Sequence, residues 1–170
     1  HSGAPHSDKV VDVARKTVRS LSEEMPSIPF SFPDMTGFNG DFGVEYPMIT
    51  NVGADPSYEM TVYANSHEIA HTYFPFYVCT NETKNGWMDE GLTVFLPEKI
   101  QTQMATLDEG KRNTAAFSSY AGLEDEPAVI TSTHYLDRRI YFYLSYAKTE
   151  VALRMLQTEL GDDLFKTCLT

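Results

Sequence analysis

The sequence predicts an α+β domain in which a small sheet comes early and helices carry the chemistry. Two observations lead there. Residues 28 to 53 are rich in Gly, Pro, aromatic and β-branched residues, the composition of short strands and tight turns. Around that stretch, apolar residues recur at helical spacing over 8–24, 56–73, 89–106 and 148–160. A chain of 170 residues is long enough to bury one real core.

His1 to Ser7 hold Gly, Ala, Pro and two Ser, which reads as a disordered leader. From Asp8 to Glu24, Val10, Val11, Ala14, Val18 and Leu21 fall on one helical face, and Pro26 and Pro29 end the run. Ile28, Phe30 and Phe32 then alternate with Pro29, Ser31 and Pro33. The best strand lies between Val44 and Val52, with Pro47 marking an edge position. Asp55-Pro56 starts a helix that runs to about Tyr73 and is stopped by Pro75. A second helix fits 89–106, and residues 107 to 133 are mixed. A third long helix fits 148–160, capped by Gly161, and Asp162-Asp163 opens another shortly before the last residue.

Composition narrows the function. Asp and Glu number 24 against 13 Lys and Arg, a net charge of −11, which disfavours nucleic acid and anionic membranes as partners. No apolar run reaches the ~18 residues of a membrane span. Cys79 and Cys168 have no zinc-like spacing and read as two buried thiols, with a disulfide between them as the alternative.

His67-Glu68-Ile69-Ala70-His71 is an H-E-x-x-H pattern. Residues four apart on a helix lie ~40° apart on one face, one turn along. Two imidazoles so placed can bind one tetrahedral Zn²⁺, and Glu68 projects beside them, positioned to take a proton from an attacking water. The pattern alone arises by coincidence in roughly one chain of this length in 200, so its context decides. A catalytic zinc needs a third protein ligand. Eighteen residues lie between His71 and Glu90, which stands at the start of the next helix in Trp87-Met88-Asp89-Glu90-Gly91-Leu92. A connection of that length can fold the second helix back antiparallel and deliver Glu90 to the metal. His134 is the rival third ligand. Asp89 either accepts the outer N–H of a metal-binding histidine or caps its helix.

The run from His67 to Leu92 resembles the aminopeptidase N and leukotriene A hydrolase family of gluzincin zinc metallopeptidases, with H-E-x-x-H, eighteen residues, then Glu within W-x-[ND]-E-G. Gly43-Val44-Glu45-Tyr46-Pro47 resembles that family's G-x-M-E-N element, with Val44 for Met and Tyr46 for Asn. Tyr146-Ala147-Lys148 and the apolar residues after it resemble the Y-x-K-G segment, with Thr149 for Gly. The resemblance covers nearly the whole chain and implies a thermolysin-like catalytic domain over residues 8–170, cut from a longer protein with an N-terminal β domain and a C-terminal helical domain.

It also implies roles. Glu45 would grip the free α-amino group of a peptide, and Tyr146 would donate to the oxyanion. By residue type alone, Tyr135, Tyr141 and Tyr143 are equal candidates for that last role. The expected activity is zinc-dependent removal of N-terminal residues from peptides. A related endopeptidase or epoxide hydrolase, and a non-catalytic peptide-binding domain, are the alternatives.

Overall fold

The structure is a computed structural model describing residues 3–41 and 43–170, with Glu109 by its backbone alone. His1 and Ser2, in the expected leader, lie outside the described residues; Gly3 to His6 form a turn into the first helix.

That helix, α1 (Ser7–Glu23), buries Val13, Thr17 and Leu21. The buried stripe is rotated from the expected one: Val11 is 58% exposed, whereas Ala14 and Val18 only flank the core. Three strands follow, β1 (Thr36–Phe38), β2 (Val44–Tyr46) and β3 (Ile49–Asn51), in the order β1-β3-β2. β1 runs parallel to β3, and β2 pairs antiparallel to β3 with Glu45 opposite Thr50. The single strand expected over residues 44–52 is therefore a hairpin. Pro47 and Met48 make its turn, Met48 at φ 65°, so Pro47 marks a reversal and not an edge position. Ile28 to Phe32 form no strand, since Pro29 and Pro33 lack the N–H that pairing needs. Phe30 instead leans against Tyr73, ring centres 6.2 Å apart, at the margin of the core.

Helix α2 (Tyr58–Ala70) is the centre of the molecule, packed against α1, the sheet and the helices that follow. It starts two residues later than Asp55-Pro56 suggests. Asp55 accepts from the N–H of Ser57 (2.7 Å), and Ser57 is the cap, accepting from the N–H of Met60 (3.2 Å). Ile69 and Ala70 enter the main core with Leu21, Tyr73, Phe74, Leu92, Phe95 and Phe165. The helix also buries polar residues, several of them hydrogen-bonded within the protein. Asn65 donates to the carbonyl of Thr61 (2.8 Å), and Ser66 accepts from Gln101 (2.8 Å).

Beyond α2 a wide helical turn, Thr72–Tyr77, is broken at Phe74, whose φ of −132° and ψ of 113° are extended, as expected before Pro75. The expected helix over 89–106 is split. A wide turn, Trp87–Gly91, leads into α3 (Leu92–Phe95), and Pro97 separates that from α4 (Glu98–Ala105). The mixed region contains an unanticipated helix, α5 (Glu109–Ser118), capped by Asp108 through the N–H of Lys111 (2.9 Å). The third long helix has a prelude: α6 (Arg138–Tyr141) and another wide turn (Phe142–Lys148) run into α7 (Thr149–Leu160). Gly161 at φ 75° ends α7, and α8 (Asp162–Leu169) docks Phe165 on Phe95, ring centres 5.4 Å apart. Cys79 and Cys168 are unpaired and both exposed, against the expectation of buried thiols.

Gly91 joins these parts. A Cβ there would lie 2.2 Å from Cγ2 of Thr149 and 2.9 Å from the carbonyl oxygen of Ser145. Its backbone is helical, so alanine would gain up to ~1 kcal/mol of helix propensity. Overpacking typically costs ~1–3 kcal/mol, and the Ser145 backbone cannot swing aside as a side chain could. Gly91→Ala should therefore lower the unfolding free energy measured by urea titration; an unchanged midpoint would show that Thr149 rotates away at no cost.

Candidate metal centre

Two consecutive turns of α2 present His67 and His71 on one face, and the wide turn Trp87–Gly91 brings Glu90 across to them. The His67 Nε2 is 3.3 Å from the His71 Nε2 and 3.2 Å from Oε2 of Glu90, and the His71 Nε2 is 3.5 Å from the same oxygen. These are the edges of a small triangle. A tetrahedral ion with bonds of 2.0–2.1 Å has ligand–ligand edges of about 3.3–3.4 Å, so the three atoms already stand where zinc would need them. All three side chains are buried.

The surroundings orient His71 and Glu90 by polar contacts, whereas Nδ1 of His67 is buried without a protein hydrogen-bond partner. The Nδ1 of His71 faces two acceptors, Oδ1 of Asp89 at 2.8 Å and the carbonyl of Phe74 at 3.1 Å, which leaves Nε2 toward the centre. Asp89 thus lies beside the histidine, and no side-chain capping bond is made at the Trp87–Gly91 turn. Glu90 divides its oxygens: Oε2 faces the histidines and Oε1 accepts from the Tyr141 hydroxyl at 2.8 Å. The His67 ring is flanked by two nearly parallel rings, Tyr63 at 5.6 Å and Tyr146 at 5.8 Å.

Charge follows from this packing. Burial works to raise the pKa of Glu90, but hydrogen bonds from His67 and His71 outweigh it and hold the carboxyl well below the usual range. Burial works to lower that of His71, and its contacts with Asp89 and Glu90 raise it well above the ordinary imidazole value. Glu68 is different. Burial pushes its pKa up to about 7, against the opposing pull of His67 and His71. One of its oxygens, Oε2, is buried with no protein partner, and Oε1 lies 2.6 Å from where a Cβ on residue 43 would sit. Gly43 is the residue that lets the β2 approach and Glu68 share this space.

Glu45, on β2, comes to the His71 side; its ligand atom, that of His71 and that of Asp89 lie within 4.8 Å of one another. Burial raises the Glu45 pKa. Of the four candidate tyrosines, Tyr146 and Tyr141 reach the centre. Tyr143 turns away and donates to Oε1 of Glu126 (2.7 Å), and Tyr135 is 85% exposed. Burial and the Glu90 charge both raise the pKa of the Tyr146 hydroxyl, keeping it protonated. His134 is exposed on the short turn Thr133–Tyr135, apart from both groups of potential ligands among the described residues. Sequence reasoning missed Tyr63 and the role of Tyr141. Tyr63 carried a signal, its place four residues before His67 on one helix face. Tyr141 carried none, because its partner is 51 residues away.

No protein-family model matches this chain, and no curated protein matches it by sequence. Its fold does match solved structures. The M1 zinc metallopeptidase of Deinococcus radiodurans superposes with a TM-score of 0.71 at 19% identity, over 92% of this chain and 35% of that one. A point mutant of that protein bound to a Tyr-Ser-Ala substrate gives 0.68 at 19% identity, over 91% and 34%. A two-domain M1 zinc metallopeptidase mutant bound to L-arginine gives 0.66 at 17% identity, over 92% and 35%. The chain thus spans about a third of the length of the structures it matches, and at these identities the likeness is one of fold.

The geometry distinguishes ligand from support. Glu90→Ala should lower zinc affinity at least tenfold, because two imidazoles leave a tetrahedral site short. Asp89→Asn, which keeps the shape but removes the charge beside His71, should weaken it by ~10–100-fold. Competition with a chelator measures both; unchanged zinc binding in Glu90→Ala would remove Glu90 from the ligand set.

Proposed function

We propose that this chain is the catalytic domain of a zinc-dependent peptidase of the thermolysin-like, gluzincin type that removes residues from the N-termini of peptides. The observation that carries the reading is the convergence of His67, His71 and Glu90 at tetrahedral edge distances, with the carboxylate of Glu68 beside them. The chain spans about a third of the neighbours' length, which supports a longer whole protein; the family resemblance would make its further parts an N-terminal β domain and a C-terminal helical domain.

His67, His71 and Glu90 would hold one Zn²⁺. When bound, the ion supplies Lewis-acid polarisation of the scissile carbonyl and lowers the pKa of the attacking water. Glu68 takes the proton from that water and returns it to the leaving amine, and a carboxyl with a pKa pushed up to about 7 is matched to both halves of that task. Tyr146, kept protonated by burial and by Glu90, donates to the oxyanion as the carbonyl becomes tetrahedral. Tyr141 holds Oε1 of Glu90 and so keeps Oε2 aimed at the histidines. Glu45 pairs with the α-ammonium of the substrate and sets the register at one residue from the scissile bond.

Glu68→Gln keeps the shape and loses the proton acceptor. Zinc should be retained, and turnover of an alanyl or leucyl anilide by the protein with its flanking domains should fall by ~10²–10⁴. Near-normal turnover would count against the assigned base.

Glu45 separates aminopeptidase from endopeptidase. Removing one partner of a buried charge pair costs several kcal/mol. Glu45→Ala should therefore cut kcat/KM for an unblocked dipeptide by ~10²–10³ and leave slow cleavage of an acetylated peptide nearly unchanged. Equal losses on both substrates would mean that Glu45 does not read the N-terminus.

A further inference from the structure

The two histidines of α2 are held by different means. Nδ1 of His71 meets Oδ1 of Asp89 at 2.8 Å and the carbonyl of Phe74 at 3.1 Å, so polar contacts set the angle of its ring. Nδ1 of His67 is buried and meets no protein acceptor. The torsion that turns an imidazole about its bond to Cβ is broad and sets no ring angle by itself. Yet turning it would carry Nε2 of His67 off its place, 3.3 Å from Nε2 of His71 and 3.2 Å from Oε2 of Glu90. His67 lines a cavity of about 660 Å³, so open space lies beside the ring.

What the His67 ring has is neighbours along its faces. Tyr63 lies 5.6 Å from it, ring centre to ring centre, with the planes 19° apart, and Tyr146 lies 5.8 Å away with the planes 17° apart. Tyr146 belongs to the Phe142–Lys148 turn, packs against the rings of Tyr141 and Phe142, and has the oxyanion role in the reading above. Tyr63 has no part in that chemistry. It stands four residues before His67 on the same helix, the spacing at which side chains meet one turn apart. Turning the imidazole out of this arrangement would press its edge on the Tyr63 ring or forfeit the contact, and contacts of this kind weaken steeply with a gap.

We propose that Tyr63 is a positioning residue for the metal. The face of its ring sets the rotation of the His67 imidazole and does for that ligand what Asp89 and the Phe74 carbonyl do for His71. This rests on the metal-centre reading and deepens it. His67 is oriented from within its own helix, and His71 is oriented by groups that follow it in the chain. The ring does the holding, and the Tyr63 hydroxyl is not required for it.

The test reads the metal and needs no turnover. Zinc affinity is measured by competition with a chelator, and the visible bands of the Co²⁺-loaded protein report ligand geometry. Tyr63→Leu should weaken zinc binding ~3–10-fold, the range of one aromatic contact, and should change the Co²⁺ bands. Tyr63→Phe keeps the face, and should leave the bands unchanged and the affinity within ~2-fold of the unsubstituted protein. The urea midpoint of the metal-free protein separates holding from packing. A lower midpoint in Tyr63→Leu with zinc affinity and Co²⁺ bands unchanged would make the ring mere packing and overturn the inference. Tyr63→Phe behaving like Tyr63→Leu would overturn it too, since the hydroxyl would then be the holder. Should Tyr63→Leu fail to fold, Tyr63→Met, which adapts to the space without offering a flat face, is read in the same way. Each of these outcomes leaves the metal-centre reading intact as long as the unsubstituted protein binds zinc. An unsubstituted protein that binds none would overturn both.

Discussion

The carboxylate of Glu90 is buried among groups that need it negative. It faces His67 and His71 through one oxygen and the Tyr141 hydroxyl through the other. Those partners come from two separate places: the central helix α2 and, 51 residues beyond Glu90, the end of α6. A carboxylate in so little water costs several kcal/mol unless each lone pair is met. The position of Glu90 therefore constrains how the Trp87–Gly91 turn sits on α2 and how the Phe142–Lys148 turn sits on both. Gly91, with no room for a Cβ against Thr149 and Ser145, is the steric counterpart of that electrostatic tie.

Wide helical turns occur where the polypeptide meets the site. Thr72–Tyr77 follows His71, Trp87–Gly91 contains Asp89 and Glu90, and Phe142–Lys148 contains Tyr146. Such turns inside or beside regular helices redirect side chains that a straight helix would point elsewhere, and they recur at functional sites. Here they let Asp89 reach His71 while its neighbour Glu90 reaches His67, which adjacent residues of an ideal helix, ~100° apart, would do less readily. The same redirection puts Tyr141 and Tyr146, five residues apart, on a single carboxylate's surroundings.

The electrostatics of the cleft follow from which carboxylates are burdened with partners. Glu90 and Asp89 lie against histidines, whereas burial pushes the pKa of Glu68 up to about 7. In the proposed reading, environment alone separates the ligand carboxylate from the base carboxylate, since the residue types are the same.

The sequence by itself determined the local chemistry. H-E-x-x-H puts two imidazoles on one helical face because 3.6 residues make a turn, and that holds wherever the helix lies. Gly161 and the Asp162-Asp163 start were equally legible, since φ and capping preferences are properties of single residues. What periodicity cannot carry, only the tertiary structure decided. The split at Pro97, the hairpin at Pro47-Met48 and the polar helix α5 depend on what each segment packs against. Glu90 could be suggested by spacing, but the place of Tyr141 and the division of the Glu90 oxygens arise from side chains far apart in the chain. Each is a product of burial, and burial is set by the whole fold and by no single stretch of it.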